Sequence, residues 1–187
     1  MPIRTFIAVD VPDVIRDGIA RLQSDMKRYR ADVKWVRPES IHITLKFLGD
    51  VQVDRIDGMA QAIKESVEGV DSFPVAVGGT GMFLGARRPR VFWVGVKEGA
   101  GVLSDLALRI ETALNKLGFE KEKRKYSAHL TIGRVRTPKG IQPVVEAMRS
   151  TTFEAGVFEV DEIVLMKSDL KPTGAVYTAL RTVKLRG

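Results

Sequence analysis

The nine residues Ile41-His42-Ile43-Thr44-Leu45-Lys46-Phe47-Leu48-Gly49 are repeated in outline by Ala128-His129-Leu130-Thr131-Ile132-Gly133-Arg134. Both stretches alternate apolar and polar residues, the period of a half-buried β-strand. Ile41, Ile43, Leu45 and Phe47 share one face, suited to packing under a helix, while His42, Thr44 and Lys46 share the other. Ala128, Leu130 and Ile132 likewise oppose His129 and Thr131. An imidazole and a hydroxyl two residues apart project side by side, with roughly 7 Å between their Cα atoms. The chain contains two histidines, and each opens a His-x-Thr.

The segments around these strands repeat as well. Phe6 precedes His42 by 36 residues and Phe92 precedes His129 by 37. Each interval holds a strand, an amphipathic helix and the His-x-Thr strand. In the first, Ile3 to Val9 reads as a strand. A helix follows over 13–30, with Ile15, Ile19, Leu22, Met26 and Tyr29 on one face. Val33 to Arg37 is extended, and the turn Pro38-Glu39-Ser40 leads into the motif. In the second, Arg90 to Val96 is a strand. Leu103, Leu106, Ile110, Leu114 and Leu117 mark a helix that ends at Gly118, where a left-handed residue is expected, and Tyr126 to Val135 is the motif strand. After each motif come a helix and a strand. The first of these helices is carried by Ile56, Met59, Ile63 and Val67 with Asp54 as N-cap; the second is opened by Pro143. Phe73 to Val77 lies before the glycine-rich stretch 78–81, which reads as a hairpin turn. Val157 to Met166 and Ala175 to Leu185 complete the strands, joined through 171–174. The fold class is α+β, with antiparallel pairing favoured by the hairpin-like connections. Residues 1–187 form one domain of two pseudo-symmetric lobes, with motifs at 42–44 and 129–131 and no Pro-, Ser- or Gly-rich linker between them.

A pseudo-twofold axis would bring the two His-Thr pairs face to face across one cleft. That arrangement suits displacement at a phosphodiester, whose attacking and departing oxygens lie on opposite sides of phosphorus. One imidazole takes a proton from water and the other gives one to the leaving oxygen, since histidine titrates near pH 6.5. Threonine hydroxyls can donate to the non-bridging oxygens. Which histidine is acid and which is base stays open, because the pair looks alike from either side. Two histidines without cysteine make a poor metal site, as neither strand sets a carboxylate beside its His. No Gly-x-Ser-x-Gly elbow supports a serine nucleophile, and residues 78–81 match no phosphate loop.

Composition sets the outer bounds. With 187 residues, 44% hydrophobic and 28% charged, the chain can bury a core and is not of the disordered class. It has no cysteine, no long apolar span and no signal peptide, which points to a cytoplasmic protein. The net charge of +7 favours polyanionic partners. Arg87, Arg88 and Arg90 precede one strand, and Arg134, Arg136 and Lys139 follow the second motif, all without acidic neighbours; RNA phosphates would bind there. In 120–125, Glu120 and Glu122 alternate with Lys121, Lys123, Arg124 and Lys125, which reads as a self-paired surface. Trp35, Phe47, Phe83, Trp93 and Tyr126 could stack on a base, but aromatics beside such strands more often pack a core, and none is singled out.

HITLKFLG and HLTIGR resemble the paired motifs of the 2H phosphoesterase superfamily. More narrowly, the chain is similar to RNA 2′,3′-cyclic phosphodiesterases, also called 2′-5′ RNA ligases, in RTFIAVDVP, VKWVRPESIHITLKFLGDV, RPRVFWVGV and LMKSDLKPTGAVYTAL. The resemblance implies a duplicated bilobal fold, two antiparallel sheets with outer helices around a central cleft. It implies metal-independent, cofactor-free hydrolysis of RNA 2′,3′-cyclic phosphate ends to 2′-phosphomonoesters, with His42 as proton donor and His129 as proton acceptor. Thr44, Thr131 and Arg134 would bind substrate; strict alternation puts Arg134 opposite His129 unless a bulge intervenes. Reverse, ATP-independent 2′-5′ joining is a further capacity of the family. RNA ends, tRNA fragments among them, are the expected partners of a monomer with no membrane attachment. Many relatives carry Pro before the second histidine; here it is Ala128, which removes no functional group. Two other readings compete: 2H chemistry on an ADP-ribose cyclic phosphate or a 2′-5′ oligonucleotide, and an RNA-binding module without turnover.

Overall fold

In the computed structural model, residues 1–85, 88–172 and 174–187 are described. Among these residues nine strands and four α-helices follow in the order β1 (Pro2–Asp10), α1 (Asp13–Lys27), β2 (Val33–Trp35), β3 (His42–Gln52), α2 (Ile56–Ser66), β4 (Phe73–Gly85), β5 (Arg88–Glu98), α3 (Ala100–Lys116), β6 (His129–Val135), α4 (Gln142–Ser150), β7 (Glu154–Val160), β8 (Glu162–Lys171) and β9 (Gly174–Lys184). Two antiparallel sheets result, as an α+β chain with hairpin-like links requires. One has the order β3-β1-β8-β9 and the other β2-β6-β5-β4-β7. Each His strand lies beside the strand that begins its own half, β3 next to β1 and β6 next to β5. Among the described residues no helix is long and apolar enough to cross a membrane.

The helices cross over. α1 leaves β1 of the four-stranded sheet but packs on β7 and α4 of the other, burying Ile15, Ile19, Leu22 and Met26. Gly18 gives it room against Ala155. α3 leaves β5 and lies on β3 and α2, burying Leu103, Leu106, Ile110 and Leu114. Each sheet is thus covered by a helix that starts from its partner, and the buried residues form one continuous core. A buried glutamine on α1 adds a polar tie. The Gln23 amide donates to the Val36 and Ile132 carbonyls at 2.7 and 2.8 Å, pinning the segment that runs from β2 into β3. Satisfied buried groups of this kind specify one arrangement, since an unmade bond there costs the full desolvation penalty.

Several expected boundaries move. Tyr29 and Leu117 lie past the ends of α1 and α3 and are exposed. Asp54 does not cap α2; it sits in a preceding 3₁₀ turn, and Arg55 occupies the cap position without a side-chain bond. The 126–135 strand starts only at His129. The stretch 157–166 is two strands, because the chain changes sheets at Asp161, whose carbonyl is bonded by the Leu185 N–H. Residues 78–81 are not a turn either. β4 runs through them, carrying one extra residue between Val77 and Thr80, with Gly79 at φ 71°. Gly81 is needed for contact: a Cβ there would collide with the Trp93 ring.

The His strands are bulged at matching places. Ala8 pairs with Thr44 and Ile7 with Lys46, so Leu45 is the extra residue. Trp93 pairs with Thr131 and Phe92 with Gly133, so Ile132 is the extra residue in β6. Alternation is broken three residues after each histidine. Lys46 therefore points away from His42 and is only 3% exposed. Its ammonium donates to the Glu111 carboxylate on α3 at 3.3 Å and to the Glu120 carbonyl at 2.9 Å. Lys46→Ala leaves Glu111 without its cation and should destabilise the fold by about 3 kcal/mol, read as the urea midpoint at constant m-value. Lys46→Met/Glu111→Gln should recover most of that loss.

Candidate active site

His42, Thr44, His129, Thr131 and Arg134 all line one cavity of about 700 Å³ between the two sheets. The histidines are held alike. His42 Nδ1 lies 2.9 Å from the Ser40 carbonyl and His129 Nδ1 2.7 Å from the Ser127 carbonyl. A carbonyl only accepts, so Nδ1 carries a proton in both rings, and Nε2 is the nitrogen left to exchange one. His42 Nε2 is 2.9 Å from Thr44 Oγ1. The carbonyl of Thr44 accepts the Tyr126 phenol at 3.1 Å, which ties the segment leading into β6 to β3. Burial pushes that phenol above its ordinary titration range.

Aromatic rings flank each imidazole. Phe6 and Tyr177 lie 4.8 and 5.1 Å from His42 between ring centroids. Phe83 and Trp93 lie 4.8 and 6.4 Å from His129. Burial among them is the main reason both imidazoles are held below the ordinary histidine value. The Arg134 charge lowers both further, while the Ser40 and Ser127 carbonyls oppose the shift. His42 alone feels a nearby carboxylate: Asp10, its register partner on β1, favours the protonated ring.

The bulges decide what else faces the cavity. Arg134 would point away from His129 under strict alternation; the extra Ile132 turns it onto the cleft face. By the same device Phe47, expected in the core, is 59% exposed and lines the cleft. Phe47 and Arg134 occupy the same position, five residues after the histidine, on opposite sheets. Trp35 and Phe83 also line the cavity. Among the described residues Lys121, Lys123, Arg124 and Lys125 are exposed and form no ion pair, so the self-paired surface expected at 120–125 is not formed. Arg87, also expected to meet phosphate, lies outside the described residues. Sequence reasoning missed Phe6, Tyr177 and the two carbonyl partners. A backbone carbonyl carries no side-chain signal, although Ser-x-His-x-Thr does occur twice.

The titration of this site can be followed directly. The imidazole NMR signals of both histidines should titrate below 6.5. Arg134→Gln should move both midpoints up, and Asp10→Asn should move that of His42 down with little effect on His129. Unmoved midpoints in Arg134→Gln would mean that its charge is directed elsewhere.

The profile of the 2′-5′ RNA ligase superfamily matches residues 11–172. The chain is 36% identical over 186 residues to the RNA 2′,3′-cyclic phosphodiesterase of Methanothermobacter thermautotrophicus, covering 99% of this chain and 100% of that one. It is 37% identical over 179 residues to the protein of the same name from Archaeoglobus fulgidus, covering 95% and 98%. Among solved structures it is similar to TT0787 of Thermus thermophilus, with a TM-score of 0.82, 25% identity and 98% coverage of each chain. The E. coli LigT complex with 3′-AMP shares the fold at 23% identity, with a TM-score of 0.80 and 99% coverage of each chain.

Proposed function

The chain belongs to the 2′-5′ RNA ligase superfamily, and from that premise we propose that its cleft hydrolyses the 2′,3′-cyclic phosphate at an RNA end to a 2′-phosphomonoester. Full-length relatives that carry the name RNA 2′,3′-cyclic phosphodiesterase support this activity. The observation that carries the reading is the pair of Nδ1-anchored histidines in one cavity, each with a threonine two residues on.

In the ground state of the reaction His129 is neutral and His42 is protonated. Water oxygen attacks phosphorus and loses a proton to His129 Nε2 as the P–O3′ bond breaks. The Nε2–H of His42 passes to O3′, leaving a 3′-hydroxyl and a 2′-phosphate. Solvent then returns the pair to its starting protonation. Asp10 supports His42 as the donor, since its carboxylate favours the imidazolium there and His129 has no such neighbour. Thr44, Thr131 and Arg134 supply donors for the non-bridging oxygens, whose charge must be held in the transition state. Phe47 offers an aromatic face to a base. The scheme needs neither metal nor cofactor. With an RNA 5′-hydroxyl in place of water as the nucleophile, the same displacement breaks the P–O3′ bond and joins RNA ends by a 2′-5′ bond without ATP. Both histidines come from one chain, so a monomer suffices. The two lobes are read as one duplicated unit within a single domain, acting on RNA ends such as tRNA fragments in the cytoplasm.

The test is hydrolysis of a nucleoside 2′,3′-cyclic phosphate in excess chelator, with product isomers resolved. Wild type should give the 2′-phosphate, and His42→Ala and His129→Ala should each lose about 10²-fold or more in kcat. Full activity in either variant, loss with chelator, or a 3′-phosphate product would sink the mechanism. A panel with an ADP-ribose cyclic phosphate and a 2′-5′ oligonucleotide separates the other 2H substrates, and salt-sensitive RNA binding without turnover would indicate a binding module.

A further inference from the structure

Lys34 on β2 and Arg134 on β6 are register partners on neighbouring strands, and both line the cleft. Like charges set directly opposite each other weaken a sheet. Among the described residues neither forms an ion pair with a carboxylate. Asp32, two residues from Lys34, gives only its carbonyl to the Arg136 N–H. Elsewhere around the site the cations are matched: Lys46 with Glu111, Arg16 with Asp10 and Asp13, Arg37 with Glu39. Arg4, at the other wall of the cleft, faces Asp50 across its register. The Lys34–Arg134 pair is the cleft's one juxtaposition of two cations among these register partners, and an anion between them would turn repulsion into attraction.

The Arg134 charge reaches both histidines, so it stands beside the reacting centre. Lys34 lies one strand further out, on the edge of the sheet. Beyond a terminal cyclic phosphate, the next anion on an RNA chain is the phosphodiester on the 5′ side of the last nucleoside. We propose that Lys34, with Arg134 beside it on the side of the cyclic phosphate, forms a subsite for that phosphodiester, so that the protein prefers a polynucleotide end to a free cyclic nucleotide. The inference rests on the cyclic phosphodiesterase reading above and adds the direction in which the RNA leaves the cleft, over β2.

The experiment compares adenosine 2′,3′-cyclic phosphate with the ApA dinucleotide ended by the same group, in wild type, Lys34→Met and Arg4→Met. Wild type should favour the dinucleotide by about tenfold in kcat/KM, the scale of one charge-assisted contact. Lys34→Met should remove most of that preference through KM and weaken the salt dependence of the KM for the dinucleotide. Arg4→Met should keep it. Equal turnover of both substrates by wild type, an equal loss on both in Lys34→Met, or loss of the preference in Arg4→Met would overturn the subsite. Binding of the corresponding 2′-phosphate products, ended at one or two nucleotides, gives the same comparison without turnover. If wild type hydrolyses neither substrate, the enzyme reading falls, and the binding arm still decides the subsite.

Discussion

A β-bulge sets two residues of one strand against one of its neighbour, and every side chain beyond it changes face. Leu45 and Ile132 are such extra residues, each three positions after a histidine. Without them β3 would aim Lys46 into the cleft and bury Phe47, while β6 would turn Arg134 out of the cavity. With them a short strand serves two purposes. Its first half presents an imidazole and a hydroxyl, and its second half presents either an aromatic ring or a guanidinium. The same backbone device thus yields unlike groups on the two walls.

A cleft built this way needs its walls held apart at a set spacing. The crossed helices do this with apolar area, since α1 and α3 each cover the sheet opposite to the one they leave. Three polar ties refine it. Gln23 holds the β2 to β3 crossing, Lys46 anchors α3 and the 120–122 segment, and Tyr126 bonds the Thr44 carbonyl. The Glu111 carboxylate, which takes Lys46, also accepts the Glu122 N–H. The second histidine strand is therefore fastened at its entrance to the first. Packing alone would tolerate small slides; buried hydrogen bonds penalise them more steeply, because each carries the desolvation of its polar atoms.

The parts of this arrangement that could be read in the sequence were those with a period. His42 and His129 stood out because both open a His-x-Thr in a strand of alternating character, at nearly equal distances from Phe6 and Phe92. The helical faces of Ile15 and Leu103 were legible for the same reason. What could not be read depends on breaking a period. Nothing in the alternation from Ile43 to Phe47 announces an extra residue at Leu45, so strict alternation places Lys46 and Phe47 on each other's faces. Gly78 to Gly81 resembles a turn because glycine marks turns, but here it relieves contact with Trp93 and allows a bulge. The switch of sheets at Asp161 falls inside an unbroken apolar pattern. The Ser40 and Ser127 carbonyls act through the backbone, where residue identity is mute.

The electrostatics of the cleft follow from the same placement. Both imidazoles are depressed, chiefly by burial, and the guanidinium that the Ile132 bulge brings in depresses them further. An empty cleft at neutral pH therefore disfavours the imidazolium that an acid catalyst needs. A phosphodiester carries the negative charge that offsets Arg134, so its arrival raises both imidazoles together. Asp10 acts on His42 and not on His129, which in the proposed mechanism suits His42 to the donor's part. One carboxylate on the neighbouring strand thus makes the surroundings of two similarly held histidines unequal. What distinguishes two similar histidines thus lies less in the motifs themselves than in what stands opposite them.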